Sequence, residues 1–284
     1  MTKLVQDFSL HTHTVGFDGA NSPSDMVMCA KNMGFTSFGI SNHFIVHPDI
    51  KRARFYPFAE SRGYDTIYST TFDEVIERFQ PHYAEFDRVA SKWKMRLFRG
   101  IEVDFFDTPE WMCGFERALK ILKPDYIIGA SHFVEYGGIL CNVHDMANAD
   151  DEDRDKMVEL YWAKVARAAD SGMFNWMAHL DLPKKTGCGR DARWTDVEAR
   201  TVDTIARSKT PVEINTGFNS PDKFEPYPSP RILKMVAAAN IPVLLSDDAH
   251  RAMHIGRNFD KAYELARSCG INRFLTCDEA VRSR

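Results

Sequence analysis

Apolar and polar positions follow two different periods along the chain, and these periods succeed each other in a regular order. The segment 95–105 is typical of the strand period, because Ile101, Val103 and Phe105 alternate with the acidic residues Glu102 and Asp104. A first strand leads into His11-Thr12-His13, and segments with helical spacing separate the strands. This alternation predicts a parallel sheet covered by helices. After the first, the predicted strands cover residues 35–43, 95–105, 125–133, 174–182, 211–218 and 241–250.

Capping residues set the expected helix boundaries. Ser22-Pro23 supplies an N-cap and a proline at the first position, and Gly34 ends that helix. Thr195 and Glu198 have the spacing of a capping box, and Pro81 is expected to break the helical segment 72–93. His82, in the same segment, is expected to face solvent. The later predicted helices cover residues 110–122, 153–171, 195–209, 229–240 and 258–268.

Strands one to five and seven each end in residue types that bind metals. His11 and His13 lie two residues apart on a strand, so both imidazoles face the same side. Such side chains converge on one point only if the strands form a ring, which favours a barrel over an open sheet. The candidate ligands are His11, His13, Asp18, His43, Glu102, His132, His179, Asp248 and His250.

Six imidazoles and three carboxylates are too many ligands for one ion, since a catalytic zinc takes about three protein ligands and a water. Two or three ions are therefore expected. Mixed nitrogen and oxygen donors suit Zn, Mn or Fe better than Mg or Ca. For any single candidate, a structural reading stays open, because a histidine at a strand end can be a hydrogen-bonded core residue and an aspartate can cap a helix.

Length and composition indicate one large domain spanning residues 1–284. The chain is 44% hydrophobic and shows no linker or repeat. An insertion at residues 44–70 carries Lys51, Arg52, Arg54 and Arg62. It is either a solvated excursion or a lid whose cations face an anionic substrate.

Charge and cysteine usage narrow the partners and the compartment. A formal net charge of −4 argues against a general nucleic-acid binder. Residues 1–8 lack a signal-peptide pattern, and no apolar run approaches the roughly 20 residues of a membrane span. The six cysteines form no CxxC motif and are read as reduced thiols. We expect a cytoplasmic protein with neither a nucleic-acid nor a membrane partner; a small anionic substrate is compatible with this charge, and the oligomeric state is left open.

An ordered set of motifs resembles the PHP (polymerase and histidinol phosphatase) phosphoesterases over nearly the whole chain. The motifs are HTH at 11–13, Asp18-Gly19, SNH at 41–43, GIEVD at 100–104, IIGASHF at 127–133, AHLDLPKK at 178–185 and SDDAH at 246–250. Within the family, EINTG at 213–217 and the stretch 227–250 are most similar to monofunctional histidinol-phosphate phosphatases.

The resemblance implies a distorted seven-stranded (β/α)7 TIM-like barrel with three metals at the carboxyl ends of the strands. One ion would lie on His11, His13, Glu102 and Asp248, a second on Glu102, His132 and His179, and a third on Asp18, His43 and His250. Three places depart from the common pattern. Asn42 stands where Asp is usual, Ala130-Ser131 precedes His132, and TGFNSPDK at 216–223 lacks an early basic residue after its glycine.

The implied activity is phosphomonoester hydrolysis, with L-histidinol phosphate of histidine biosynthesis as the expected substrate. A metal-bridged water would attack phosphorus, with Glu102, Asp248 and His250 in catalytic roles. Asp181 would either protonate the leaving alkoxide or orient His179. The expected substrate-binding cations lie just beyond strand ends: Lys184, Lys185, Arg190 and Arg257.

Other functions remain open. A PHP enzyme acting on nucleotides or other small phosphates is the runner-up, and the altered loop at 216–223 permits it. An amidohydrolase barrel also begins with His-x-His, but it typically has a lysine on its fourth strand, where this chain has His132. A non-catalytic metal-bearing module would be expected to lack ligands, and this set is complete.

Overall fold

A computed structural model describes residues 4–217 and 224–283 and arranges the main strands in a ring. The strands are β1 (Phe8–Ser9), β2 (Ser37–Ile40), β3 (His43–Val46), β4 (Tyr68–Ser69), β5 (Arg96–Asp104), β6 (Tyr126–Ala130), β7 (Phe133–Tyr136), β8 (Ile139–Asn142), β9 (Trp176–Met177), β10 (Val212–Asn215) and β11 (Val243–Ser246). The α-helices are α1 (Pro23–Asn32), α2 (Tyr56–Ser61), α3 (Phe72–Ala90), α4 (Pro109–Leu122), α5 (Asp151–Asp170), α6 (Thr195–Ser208), α7 (Pro230–Ala238), α8 (Phe259–Ser268) and α9 (Cys277–Arg282).

Seven strands are hydrogen-bonded in the order β1-β2-β5-β6-β9-β10-β11, and each adjacent pair is parallel. The ring closes beyond the two end strands, where Thr12 forms a parallel bridge with Ala249. There the His13 amide donates to the Ala249 carbonyl at 3.0 Å. The predicted seven-stranded TIM-like barrel is therefore confirmed.

The predicted second strand divides into two pieces at Ser41-Asn42. The Ser41 hydroxyl accepts from the Thr12 amide at 3.1 Å, and the Asn42 side-chain oxygen accepts from the Thr14 amide at 2.8 Å. Beyond this point β3 pairs with β5, so His43 lies opposite Glu102. The interruption changes the direction of the strand and places His43 at the carboxyl end of the barrel.

The insertion has its own secondary structure and is not an open loop. It contains the end of β3, helix α2, two short 3₁₀ turns and β4, which pairs with β3. Its own residues Ile50, Ala59 and Ile67 are buried. The prediction that it forms a lid stays a prediction. The sequence pattern also missed α9 and the antiparallel hairpin of β7 and β8.

Two local expectations are wrong. Helix α3 runs unbroken through Pro81, because buried Phe79, Tyr83 and Phe86 pack on both sides of the missing hydrogen bond. His82 is buried and its Nε2 lies 2.8 Å from the Asn42 side-chain nitrogen.

The expected capping box of α6 is also absent. Thr195 is the first residue of the helix, and its hydroxyl donates to the Ala192 carbonyl. Glu198 instead forms a buried ion pair with Arg231.

A separate apolar layer fills the amino end of the barrel. It includes Phe8, Leu10, Tyr126, Trp176 and Leu244. The rings of Tyr126 and Trp176 stack with centroids 5.2 Å apart. A β-carbon at Gly100 would lie 2.2 Å from the Tyr126 ring, so only glycine leaves room for it. In the part of the chain that the structure describes, no helix has both the length and the apolar character needed to cross a membrane.

Candidate metal centre

All nine candidate ligands gather at the carboxyl end of the barrel, around Glu102 on β5. Glu102 Oε1 lies 2.9 Å from His179 Nε2, and Oε2 lies 2.7 Å from His43 Nδ1. His11 Nε2 and His132 Nε2 approach the same carboxylate at 3.4 and 3.6 Å. The barrel topology thus brings histidines from four other strands or strand ends onto one carboxyl group.

Two further carboxylates flank this centre. Asp248, just past β11, lies 3.1 Å from His13 Nε2 and 3.7 Å from His11 Nε2. On the other side, Asp18 Oδ2 lies 3.0 Å from His250 Nε2 and 3.2 Å from His43 Nε2. Each carboxylate therefore bridges two histidines in a continuous polar cluster.

Ligand atoms in this cluster fall into three overlapping groups whose members lie within 4.8 Å of one another. The groups are His13, Asp18, His43 and His250; His11, His13 and Glu102; and His43, Glu102 and His132. These groups overlap the three sets that the resemblance implies but omit Asp248 and His179, and His13, His43 and Glu102 are each shared between two groups, so the assignment of ligands to individual ions stays a prediction.

Several buried nitrogen and oxygen atoms of the cluster have no partner in hydrogen-bond geometry, even where an opposite charge lies close, as Glu102 Oε2 does to His43 Nδ1. They are His11 Nε2, both ring nitrogens of His13, Asp18 Oδ1, His43 Nδ1, Glu102 Oε2 and His179 Nδ1. Leaving such atoms unpaired is costly, and their concentration calls for a ligand. Imidazole nitrogens and carboxylate oxygens at these separations fit divalent metal ions.

The electrostatic environment keeps the carboxylates in the metal-binding form. Burial alone would raise the pKa of Glu102, but His43, His11 and His132 hold it well below its usual value. The pKa of Asp248 is likewise lowered by its histidine neighbours against the effect of burial. Burial, together with the neighbouring imidazoles, lowers the pKa of His13 to about 4. Against the effect of burial, the nearby carboxylates raise the pKa values of His11 and His43, so a metal ion that binds there would displace protons from the imidazoles.

Two of the candidate ligands have positive φ angles. His179 and Asp248 have φ angles of 22° and 46°, in the region that disfavours residues with a β-carbon. Gly19 is restricted by close packing instead, because a β-carbon there would lie 2.4 Å from the backbone of His13 and Thr14. At His179 and Asp248 the backbone adopts an energetically unfavourable conformation that directs the side chain into the cluster.

Two carboxylates behind the cluster were not among the predicted site residues. Glu213 Oε2 lies 2.8 Å from His11 Nδ1 and 3.1 Å from Trp176 Nε1. Asp104 Oδ2 lies 2.8 Å from His132 Nδ1. A signal existed for both, since Asp104 shares a face with Glu102 and Glu213 lies near the end of a predicted strand. They fix the ring orientation of two candidate ligands.

The four predicted substrate-binding cations have different surroundings in the structure. Lys185 lines a cavity of about 240 Å³ above the cluster. Lys184 is buried against Asp181 at 3.2 Å, and Arg190 pairs with Glu225 at 3.1 Å. Arg257 donates to the Asp247 carbonyl at 3.2 Å. Among the described residues, Lys185 is the member of this group that lines the cavity.

Asp181 does not have the predicted role of orienting His179. Its Oδ2 accepts from the Ser229 amide at 2.8 Å and pairs with Lys184. His179 Nε2 contacts Glu102, and its Nδ1 has no hydrogen-bond partner. The Asp181 carboxylate therefore does not hold the His179 ring.

Comparison with known proteins gives the class to which this barrel and its cluster belong. The PHP domain family matches residues 7–217. The chain belongs to the PHP domain family.

Individual relatives are similar along almost the full length. A curated protein of Deinococcus radiodurans, named "Probable histidinol-phosphatase", is 28% identical over 272 residues, covering 95% of each chain. A Listeria monocytogenes structure described as a candidate histidinol phosphatase has a TM-score of 0.69 at 16% identity, covering 89% of this chain and 99% of that one. Histidinol phosphate phosphatase from Lactococcus lactis, solved with zinc, L-histidinol and phosphate, has a TM-score of 0.63 at 18% identity, covering 95% and 96%. The two structures share the fold.

Proposed function

We propose that this protein is a metal-dependent phosphoric monoester hydrolase whose substrate is L-histidinol phosphate. The observation that carries the proposal is the cluster of imidazoles and carboxylates around Glu102, with its buried unpaired atoms. Family membership and the names of the relatives indicate the enzyme class. The Lactococcus protein, solved with zinc, L-histidinol and phosphate, supports the substrate.

The nine clustered residues would hold two or three divalent ions, with Zn, Mn or Fe as the candidates. Such ions lower the pKa of a bound water and neutralise phosphoryl oxygens when they are present. Glu102 reaches histidines on both sides of the centre and is suited to bridge two ions. Glu213 and Asp104 hold His11 and His132 in place from behind. His250 stands at the cavity, where the ester would enter.

The substrate end of the site is formed by the cavity above the cluster. Lys185 supplies a positive charge there for an anionic ester. Lys184 and Arg190, by contrast, hold the segments around Asp181 and Glu225 together. We assign them a structural role in place of the substrate contact expected from the sequence.

Release of inorganic phosphate from L-histidinol phosphate tests the proposal. The protein is reconstituted with each metal and compared with a chelated sample, with nucleotides and sugar phosphates as competing substrates. We expect L-histidinol phosphate to lead by orders of magnitude and chelation to abolish turnover. If another ester leads, the substrate is wrong and the chemistry stands. If no ester releases phosphate with any metal, the phosphatase proposal fails.

A further inference from the structure

Helix α5, on the outside of the barrel, directs one buried lysine toward the back of the metal cluster. Lys164 lies in the last third of this helix, and 6% of its surface is exposed. Its Nζ donates to the Phe133 carbonyl at 2.8 Å and lies 3.8 Å from Asp104 Oδ1. Lysine is almost never fully buried unless its charge is paired. Asp104 supplies the paired charge.

Asp104 connects this lysine to a candidate metal ligand. Its Oδ1 accepts from the His132 amide at 2.9 Å, and its Oδ2 lies 2.8 Å from His132 Nδ1. Because an ionised carboxylate can only accept hydrogen bonds, a neutral His132 ring carries its proton on Nδ1 and leaves the lone pair of Nε2 free. That Nε2 atom lies 3.6 Å from Glu102 Oε1, inside the cluster. Asp104 thus fixes both the backbone and the ring of His132.

Lys164 provides a countercharge to Asp104 that does not depend on the state of His132. Metals bind the neutral form of imidazole, so His132 carries no positive charge of its own when it acts as a ligand. Burial lowers the pKa of Lys164 to about 8 against the effect of Asp104, which leaves the group mainly an ammonium ion near pH 7. A buried carboxylate is strongly disfavoured once its cation is removed.

The other carboxylate behind the cluster is supported in a different way. Glu213 holds His11 Nδ1, and it accepts from Trp176 Nε1 at 3.1 Å and from Asn215 Nδ2 at 2.7 Å. Both of these donors are neutral. A full positive charge therefore lies behind Asp104, whereas neutral donors lie behind Glu213. Loss of the lysine should affect the ligand that Asp104 holds and should act independently of Glu213.

We propose that Lys164 is a positioning residue of the metal centre, whose ammonium group holds the Asp104 carboxylate against His132 so that His132 Nε2 is presented to an ion. The inference rests on the proposed function, because it takes His132 to be a metal ligand. Its basis is a continuous chain of contacts from α5 to the cluster, in which Lys164 faces Asp104 and Asp104 contacts His132. Partners that orient a ligand contribute to metal affinity without touching the ion.

The first measurement is the overall binding constant for Zn²⁺, obtained by chelator competition on the substrate-free protein. Lys164→Met keeps the length of the side chain and removes its charge. We expect the binding constant to fall about tenfold, the lower end for a group behind a ligand. Lys156→Met, on the exposed side of the same helix, is the matched control and should bind as the wild type does. An unchanged binding constant in Lys164→Met overturns the inference.

Double variants distinguish this role from a general structural one. If Lys164 acts through Asp104, adding Lys164→Met to Asp104→Asn should change the binding constant by less than about twofold. Adding it to Glu213→Gln should lower the constant by a further factor of about ten, because the two routes are independent. A further tenfold loss in the Asp104→Asn background would show another route and overturn the inference. If Lys164→Met alone does not fold, the comparison of Asp104→Asn with its double variant decides the question, since that pair leaves no buried charge unpaired.

Failure of the inference and failure of the proposed function give different results. If the wild type binds Zn²⁺ and hydrolyses the ester, and Lys164→Met binds Zn²⁺ equally well, the function stands and the inference alone is wrong. If the wild type neither binds metal nor releases phosphate from any ester, the proposed function fails and the inference falls with it.

Discussion

The two ends of the barrel bury their polar atoms in opposite ways. At the amino end, the Tyr126 hydroxyl donates to the Leu10 carbonyl and Trp176 Nε1 donates to Glu213, so the polar tips of the large rings are paired. At the carboxyl end, His11 Nε2 and both ring nitrogens of His13 are buried without a hydrogen-bond partner. One ring of strands thus has an end that is complete by itself and an end that needs a ligand.

This difference separates stability from function along the barrel axis. A satisfied apolar layer contributes to folding in the absence of any ion. Crowded imidazoles and carboxylates cost folding energy until a cation joins them, which is the expected compromise at a functional site. Substitutions at the two ends should therefore have opposite signatures.

The largest effect is expected at Asp248, on the carboxyl end. Asp248→Asn keeps the size of the side chain but removes the charge that faces His13 and His11. We expect kcat/KM to fall on the order of a thousandfold, since charge stabilisation at the centre is lost. Thermal unfolding of the chelated protein should show a modest loss of stability, because the histidines that lower the pKa of Asp248 stabilise its anion in the folded state. Asp203→Asn, on the exposed face of α6, is the control, and more than a tenth of wild-type activity in Asp248→Asn would contradict the prediction.

Leu244→Ala makes the reciprocal change at the amino end. Leu244 is 1% exposed in the apolar layer beneath the cluster. Its truncation should lower the free energy of unfolding by about 3 kcal/mol through lost burial and a cavity. The folded fraction should keep its kcat and metal content. Denaturant unfolding measures the loss, with Leu160→Ala on the exposed side of α5 as the control; a large loss of activity in the folded enzyme would break the comparison.

Sequence patterns predicted the ring of strands and the convergence of nine side chains because both follow from local periodicity. A histidine at the end of each parallel strand must reach the same face, whatever the helices outside do. The hairpin of β7 and β8 was missed although Gly137-Gly138 is a recognised hairpin turn signal, and both glycines have positive φ angles.

What the sequence could not predict depends on partners distant along the chain. The sequence predicts that His82 faces solvent. In the fold, the Asn42 side chain lies 2.8 Å from the His82 ring. Lys184 and Arg190 have the positions of substrate-binding cations, but Glu225 lies near both in space. Periodicity predicts the direction of a side chain. It does not predict which charged residue from a distant part of the sequence will lie beside that side chain.

Glu213 joins the two ends, and its substitution should give an intermediate effect. It holds His11 Nδ1 from behind and accepts from Trp176 in the apolar layer. Glu213→Gln should weaken metal affinity about 10- to 100-fold, as expected for a partner that orients a ligand. Chelator competition measures this without relying on turnover. Glu116→Gln, on the exposed face of α4, should change nothing, whereas an unchanged metal affinity in Glu213→Gln would show that His11 needs no support.

The smallest effects are expected for substitutions of the two cations near the cavity at the carboxyl end, and they should differ between the two. Lys185 is exposed and lines the cavity, so Lys185→Met should raise KM about fivefold, in keeping with one solvent-screened charge contact. Arg190 is held by Glu225, and Arg190→Met should alter KM by less than about twofold while lowering stability slightly. Steady-state kinetics at low ionic strength resolves the two, because screening is then weakest. A larger rise in KM for Arg190→Met than for Lys185→Met would contradict the prediction. It would show that Arg190 binds the ester and that its ion pair with Glu225 breaks when the substrate binds.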